Sequence, residues 1–112
     1  MKDCIFCRIV QGQAPAQIVY QDQRVTAFQD LHPRAPVHIL IVPNHHLDGV
    51  DQVTPVDEPA LGRLFTVARH LAEELELEGY RLVVNTGLQA GQSIYHLHMH
   101  LMGGRSFGWP PG

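Results

Sequence analysis

At 112 residues, 45% apolar and 17% charged, the chain has the balance of one folded globular domain rather than a disordered segment. Eight lysines and arginines stand against eleven acids, for a net charge of −3 and no basic stripe, which argues against double-stranded nucleic acid as a partner. No apolar run approaches the ~20 residues that span a bilayer, and the opening MKDCIFCRIVQGQ lacks the apolar core of a signal peptide, so a cytoplasmic protein with no membrane partner is expected.

Cys4 and Cys7 form a single C-x-x-C. In a reducing compartment that spacing suggests a metal site or a redox pair more than a structural disulfide, and no βαβ pattern follows it to support thioredoxin-like chemistry. Two inert, partly buried cysteines beside a helix are the plain alternative. Residues 4–10 suit a short helix ended by Gly12, with Pro15 blocking continuation. QIVYQDQRVTAFQD reads as strands at 17–21 and 24–29 around a turn at Asp22 and Gln23. VHILIVP gives a buried strand at 37–42 bounded by Pro36 and Pro43.

Leu61, Leu64, Phe65, Ala68, Leu71, Ala72 and Leu75 then recur at intervals of three and four residues, the stripe of a long helix. Asp57 is placed to cap it, Pro59 falls in its first turn, and Gly79 is placed to end it. Strands at 80–85 and 95–102 complete an α+β pattern of five strands and two helices in a single domain, 1–112, with the long helix covering one sheet face. The tail FGWPPG can continue neither element, and Trp109, costly to leave in water, should dock on something.

Chemistry concentrates in residues 85–104. NTGLQAGQS carries glycines at 87 and 91 among polar Asn85, Gln92 and Ser93, a composition whose backbone N–H groups can cradle phosphate, although a plain connection between strands needs no ligand. In GQSIYHLHMHLMGG, His96, His98 and His100 alternate with Leu97, Met99 and Leu101, the period of a strand, and should share one face. At ~3.3 Å per residue two neighbouring histidines could share a metal, whereas three on one regular strand hardly could. Three imidazoles that titrate near neutrality are otherwise well suited to act as nucleophile, base, acid or phosphate donor.

These residues resemble the histidine triad superfamily, defined by His-φ-His-φ-His-φ-φ with φ apolar, here His96-Leu97-His98-Met99-His100-Leu101-Met102. The likeness extends through FCRIVQGQAPAQIVYQD, AFQDLHPRAPVHILIVP, GYRLVVNTG, GGRS and the terminal WPPG, and points to the Hint branch, the purine nucleoside phosphoramidases. It implies a homodimer in which the long helix and the 80–85 strand pair across a two-fold axis, joining two five-stranded, mainly antiparallel sheets into one of ten strands.

By the same resemblance His98 is the nucleophile that attacks the α-phosphorus of a nucleoside 5′-phosphoramidate, adenosine favoured, and water then releases the monophosphate. His38 matches a fourth histidine that orients and polarises it, His100 a donor to phosphate and ribose oxygens, and His96 the closure of the network behind His98. Asp30 matches the acceptor of both ribose hydroxyls; Asn85, Gly91, Gln92 and Ser93 match phosphate and leaving-group contacts; and Phe6, Ile9, Ile18, Phe28 and Leu31 would line the purine slot. Without the family, Asp30 would read as a turn residue, the apolar five as core, and His38 as a satisfied buried histidine. His32, His45, His46 and His70 are expected at the surface, without a catalytic role.

Some relatives use a Cys-x-x-Cys with two histidines to hold a structural zinc, which makes Cys4, Cys7, His46 and His96 a candidate set; catalysis itself would need no cofactor. Trp109 would reach the partner subunit's site and shape leaving-group selectivity. Two other readings stand beside the phosphoramidase: dinucleoside polyphosphate hydrolysis or phosphorolysis with the same nucleophile, and a nucleotide-binding regulatory module without turnover.

Overall fold

The computed structural model describes residues 3–112. Helix α1 spans Ile5–Val10. Cys4 starts it, accepting the Cys7 N–H on its sulfur at 3.4 Å. Gly12 ends it as the sequence predicts: at φ +75° it takes the left-handed position, and Gln13 N–H closes onto Arg8 O at 2.7 Å. Strands β1 (Ile18–Gln21) and β2 (Val25–Gln29) follow as a hairpin. Asp22 shapes its turn, taking the N–H groups of Arg24 and Val25 on one carboxylate oxygen at 2.8 and 2.9 Å.

Strand β3 (Val37–Pro43), helix α2 (Glu58–Glu74) and strands β4 (Tyr80–Val83) and β5 (Met99–Gly103) complete the fold. The five strands form one sheet, ordered β1-β2-β3-β5-β4 and antiparallel throughout. No helix among the described residues is long and apolar enough to cross a membrane.

Alternation along the strands builds two cores, one on each sheet face. Val25, Ala27, Ile39, Ile41, Leu97, Met99 and Leu101 meet Leu64, Val67, Ala68 and Leu71 of α2. On the opposite face Phe28, Leu40 and Val42 meet Phe6 and Ile9 of α1. The α2 stripe is therefore rotated from the predicted one: Val67 is in it, whereas Phe65 is 58% and Leu75 46% exposed. Asp57 is the N-cap of α2 and Pro59 lies in its first turn, as expected, while the far end differs. The Asp57 carboxylate faces backward, accepting Thr54 N–H at 2.9 Å. At the far end Glu76, not Gly79, takes the left-handed position at φ 55°, with Leu77 N–H bonded to Ala72 O at 3.0 Å. That closure places Leu77 against the α2-side core.

The largest departure is in β5, whose predicted start at 95 moves to Met99. Ile41 opposite Met99 is the last pair of the β3–β5 ladder, and residues 95–98 turn away from it although β3 itself runs on to Pro43. Leu97 N–H instead bonds Leu47 O at 2.7 Å, outside the sheet, and the His96 ring donates to Pro43 O at 2.8 Å. Only His100 of the three histidines lies within the strand, yet the alternation of faces persists through all of them.

Candidate active site

The α1 face of the central strands carries the histidines. Asp30 sits just past β2 and opposite His38, its N–H bonded to His38 O at 3.0 Å. Across the β3–β5 pair His38 is opposite Met102, which makes His100 its diagonal neighbour on the same face. The rings of His98 and His100 lie 5.1 Å apart, and Phe6 presents an edge to His98 at 5.2 Å.

The hydrogen bonds fix the protons. Arg34 N–H donates to His38 Nδ1 at 2.9 Å, so the His38 proton resides on Nε2. That Nε2–H donates to His100 Nδ1 at 2.9 Å, with Asp30 Oδ2 3.4 Å away. His100 is left with its proton on Nε2, beyond the relay. Burial, then the neighbouring His98 and His38, push the His100 pKa down to about 4, opposed by Asp30. Burial also lowers His38, against Asp30 and with the help of Arg34. Both rings are neutral at pH 7, as a one-way relay requires.

His98, 7% exposed, has the opposite tautomer. Its Nδ1–H donates to the main-chain oxygen of His96 at 2.8 Å, leaving the lone pair on Nε2. His96 thus supports His98 through its backbone, which frees its ring for another task. Asp30, His38 and His100 bring ligand atoms within 4.8 Å of one another, but His38 Nε2 carries the relay's proton and has no lone pair for a metal.

A second set does offer lone pairs. His96 donates Nε2–H to Pro43 O at 2.8 Å and aims Nδ1 at the sulfurs of Cys4 (3.4 Å) and Cys7 (3.6 Å). His46 donates Nε2–H to Asp48 at 2.8 Å and aims Nδ1 at Cys7 sulfur, 3.3 Å away. Zn–S and Zn–N bonds of 2.3 and 2.0–2.1 Å at a tetrahedral angle separate nitrogen from sulfur by about 3.6 Å. The four residues fit zinc in ligand type, spacing and outer hydrogen bonds. Burial pushes the Cys7 thiol up to about 11, with Cys4 adding to it, so a bound cation would be what favours its thiolate. His46, expected at the surface, is half-buried in this cluster.

The 85–93 loop is built differently from the expected phosphate cradle. The N–H groups of Ala90, Gly91 and Gln92 bond to carbonyls within the loop, and Gly87 N–H donates to Gln92 Oε1 at 2.8 Å. Gly91 takes the left-handed conformation at φ +87°. Gln92 is buried, and its amide also donates to Asp48 O at 2.7 Å and Ile94 O at 3.2 Å, so its side chain staples the loop rather than facing a ligand. Asn85 likewise donates to Ala90 O at 2.9 Å. Ser93, exposed at the loop's end, is the member open to a phosphate or leaving group.

Of the apolar five, Phe6, Ile9 and Phe28 are buried in the α1-side core and underlie the site rather than line an open slot. Ile18 is partly exposed and Leu31 is 85% exposed. Trp109 is 84% exposed, so its expected docking is not met within the chain. The tail is anchored before it: Arg81 and Arg105 lie over the Phe107 ring at 5.2 and 4.2 Å, and Arg81 donates to Gly108 O. Asp48, the Arg34 N–H and the Pro43 carbonyl carry parts of the site that the sequence did not single out, since each depends on how an irregular segment folds.

Comparison with known proteins accords with this arrangement. A HIT domain family model matches residues 11–107. Purine nucleoside phosphoramidase of Escherichia coli K12 is 49% identical over 109 residues, covering 96% of this chain and 92% of that protein. The crystal structure of a HIT family hydrolase from Legionella pneumophila superposes with a TM-score of 0.94 at 43% identity, over 98% of this chain and all of that one. A HIT family hydrolase from Clostridium thermocellum gives 0.92 at 40% identity over 96% of each chain. The sequence motif, the five-stranded sheet and these matches agree, and the chain belongs to the HIT domain family.

Proposed function

We propose that this protein is a hydrolase of purine nucleoside 5′-phosphoramidates, adenosine favoured, working through a nucleotidyl-His98 intermediate. The observation that carries the reading is the tautomer of His98: Nδ1–H is committed to His96 O at 2.8 Å, so the neutral ring carries its lone pair on Nε2, as a nucleophile must. Nε2 attacks the α-phosphorus, the P–N bond breaks, and the amine departs with a proton taken up from solvent. Water then attacks the same phosphorus and releases a proton to solvent, the P–Nε2 bond breaks, and the nucleoside monophosphate leaves neutral His98 behind. His100 donates its outward Nε2–H to a phosphoryl oxygen, held in that state by the His38 relay. Asp30 keeps one oxygen on His32 N–H at 2.7 Å and offers the other side of its carboxylate to a ribose hydroxyl. The relative named purine nucleoside phosphoramidase, 49% identical, supports the substrate class.

The two steps ask for no cofactor, because imidazole supplies both nucleophile and donor. Cys4, Cys7, His46 and His96 would hold a zinc ion whose contribution is to tie three chain segments together. A homodimer through β4 is supported by that strand's place at the sheet edge and by the exposed apolar side chains of Phe65, Tyr80 and Val84. In such a dimer Trp109 would meet the partner's site, and the whole would work in the cytoplasm.

The test is steady-state hydrolysis of a fluorogenic adenosine 5′-phosphoramidate. Wild type turns it over and His98→Ala does not; full activity in the variant would overturn the mechanism.

A further inference from the structure

We infer that the Cys4, Cys7, His46 and His96 cluster positions the reacting groups as well as staples the fold, with Gln92 and Asp48 as the positioning residues that carry its state to the 85–93 loop. Two routes leave the cluster. The first is short: the ring of His96 belongs to the cluster, and its main-chain oxygen holds His98 Nδ1–H at 2.8 Å. Phe6 spans the same gap, its ring edge-on to both His96 and His98 at 5.9 and 5.2 Å.

The second route runs through His46. Its Nε2–H is held by Asp48 Oδ1 at 2.8 Å; Asp48 O accepts from Gln92 Nε2 at 2.7 Å; and Gln92 Oε1 accepts Gly87 N–H at 2.8 Å. Leu97 N–H on Leu47 O at 2.7 Å ties the 46–48 segment to the catalytic segment as well. Gln92 is buried with its donors and acceptor all engaged, so a shift of Asp48 is not absorbed by water but passed to the loop. The four ligands come from α1, the 46–48 segment and residue 96, which are otherwise separate pieces of chain. A zinc ion that fixes them therefore orders His98 and the loop that ends in Ser93. Coupling of this kind is reciprocal, so a nucleotide on the loop should also tighten zinc.

The experiment compares zinc-loaded and chelator-treated protein, as wild type and as Gln92→Leu, by amide hydrogen exchange and by affinity for adenosine monophosphate. Wild type should bind one zinc per chain, slow exchange at Gly87 by ~10-fold on loading, and bind the nucleotide ~5-fold or more tightly when loaded. Gln92→Leu should still take up zinc, while Gly87 exchange becomes indifferent to it. Should Gln92→Leu misfold, Gln92→Glu removes the donor to Asp48 O and keeps the acceptor for Gly87, and the same uncoupling is expected. Asp48→Ala should lower zinc affinity by ~10–100-fold. Zinc that leaves wild-type Gly87 unmoved, uncoupling absent from the Gln92 variants, or no zinc uptake at all would each overturn the inference. The nucleotide arm rests on the proposed function. Failure of adenosine monophosphate to bind in either state would count against that reading, and Gly87 exchange would still decide the coupling.

Discussion

His38 donates its Nε2–H to His100 Nδ1 across 2.9 Å, and the Arg34 N–H on the far side of the His38 ring fixes that direction. His100 is thereby held neutral with its donor turned away from the relay. Removing that donor in His100→Ala should lower kcat by ~10²–10³-fold, the usual cost of one positioned donor to a developing oxyanion. His38→Ala, which leaves His100 in place but unconstrained, should cost less. Single-turnover kinetics on both variants checks the order; an unchanged kcat in His100→Ala would remove the residue from the mechanism.

The same relay makes a pH prediction. His100 is pushed down to about 4 and His38 is also lowered, both chiefly by burial, so between pH 4 and the ordinary 6.5 the unfolded chain binds protons that the folded chain refuses. Their stabilisation is complete above about pH 6.5 and is lost as pH falls, for His100 at up to about 1.4 kcal/mol per pH unit down to about pH 4, with His38 adding in the same direction. Urea midpoints measured between pH 7 and 4.5 should fall accordingly, and His100→Asn should flatten the slope. Turnover should fail at the acid end too, since a protonated Nδ1 cannot accept from His38.

Metal removal gives a third expectation. Purified under reducing conditions, the protein should carry one zinc per chain, and chelation should lower its Tm. Cys4→Ser should lose the metal at far milder chelator concentrations than wild type, because a serine oxygen is a poor substitute for thiolate on zinc. Elemental analysis of both proteins gives the answer, and a metal-free wild type would refute the assignment.

Glu76 occupies the left-handed position that closes α2, at φ 55°. A side chain there costs ~1–2 kcal/mol, part of which glycine returns as lost backbone entropy. Glu76→Gly is expected to stabilise by about 0.5–1 kcal/mol, and Gly12→Ala, at φ +75°, to destabilise by a similar amount. Thermal unfolding of the pair would show opposite shifts in Tm.

The tail makes the fifth prediction. With Trp109 84% exposed, deleting residues 109–112, which leaves the Phe107 and Gly108 anchor in place, removes little packing from the chain and should alter preference among leaving groups more than Tm. Equal losses for every leaving group would argue against the selectivity role.

Much of this was legible in the residues. The helix stop at Gly12, the Asp22 turn and the five strands follow from local chemistry that tertiary structure does not contest. The start of β5 was not, because alternation records which face a residue takes, not whether its backbone stays bonded to the next strand. The α2 stripe shifted because Phe65 and Val67 are equally apolar, and only the sheet's placement decides between them. In the site, Cys4, Cys7, His46 and His96 were recognisable as a set from the family. That the ring of His96 serves the cluster while its carbonyl serves His98 depends on backbone geometry that no motif encodes. Gln92 matches a ligand contact of the family by its position, yet three hydrogen bonds turn its side chain inward.

The alternation of residues 96–101 between the two cores gives the segment a reading frame of its own. Leu97, Met99 and Leu101 are locked against the α2 side, so deleting or inserting one residue would exchange them with the histidines, burying imidazoles among aliphatic carbons and turning leucines toward the reacting face. Indels at this point should therefore abolish folding and chemistry together. The tip around the exposed Leu88 lacks such a two-sided lock and is where length variation should be tolerated.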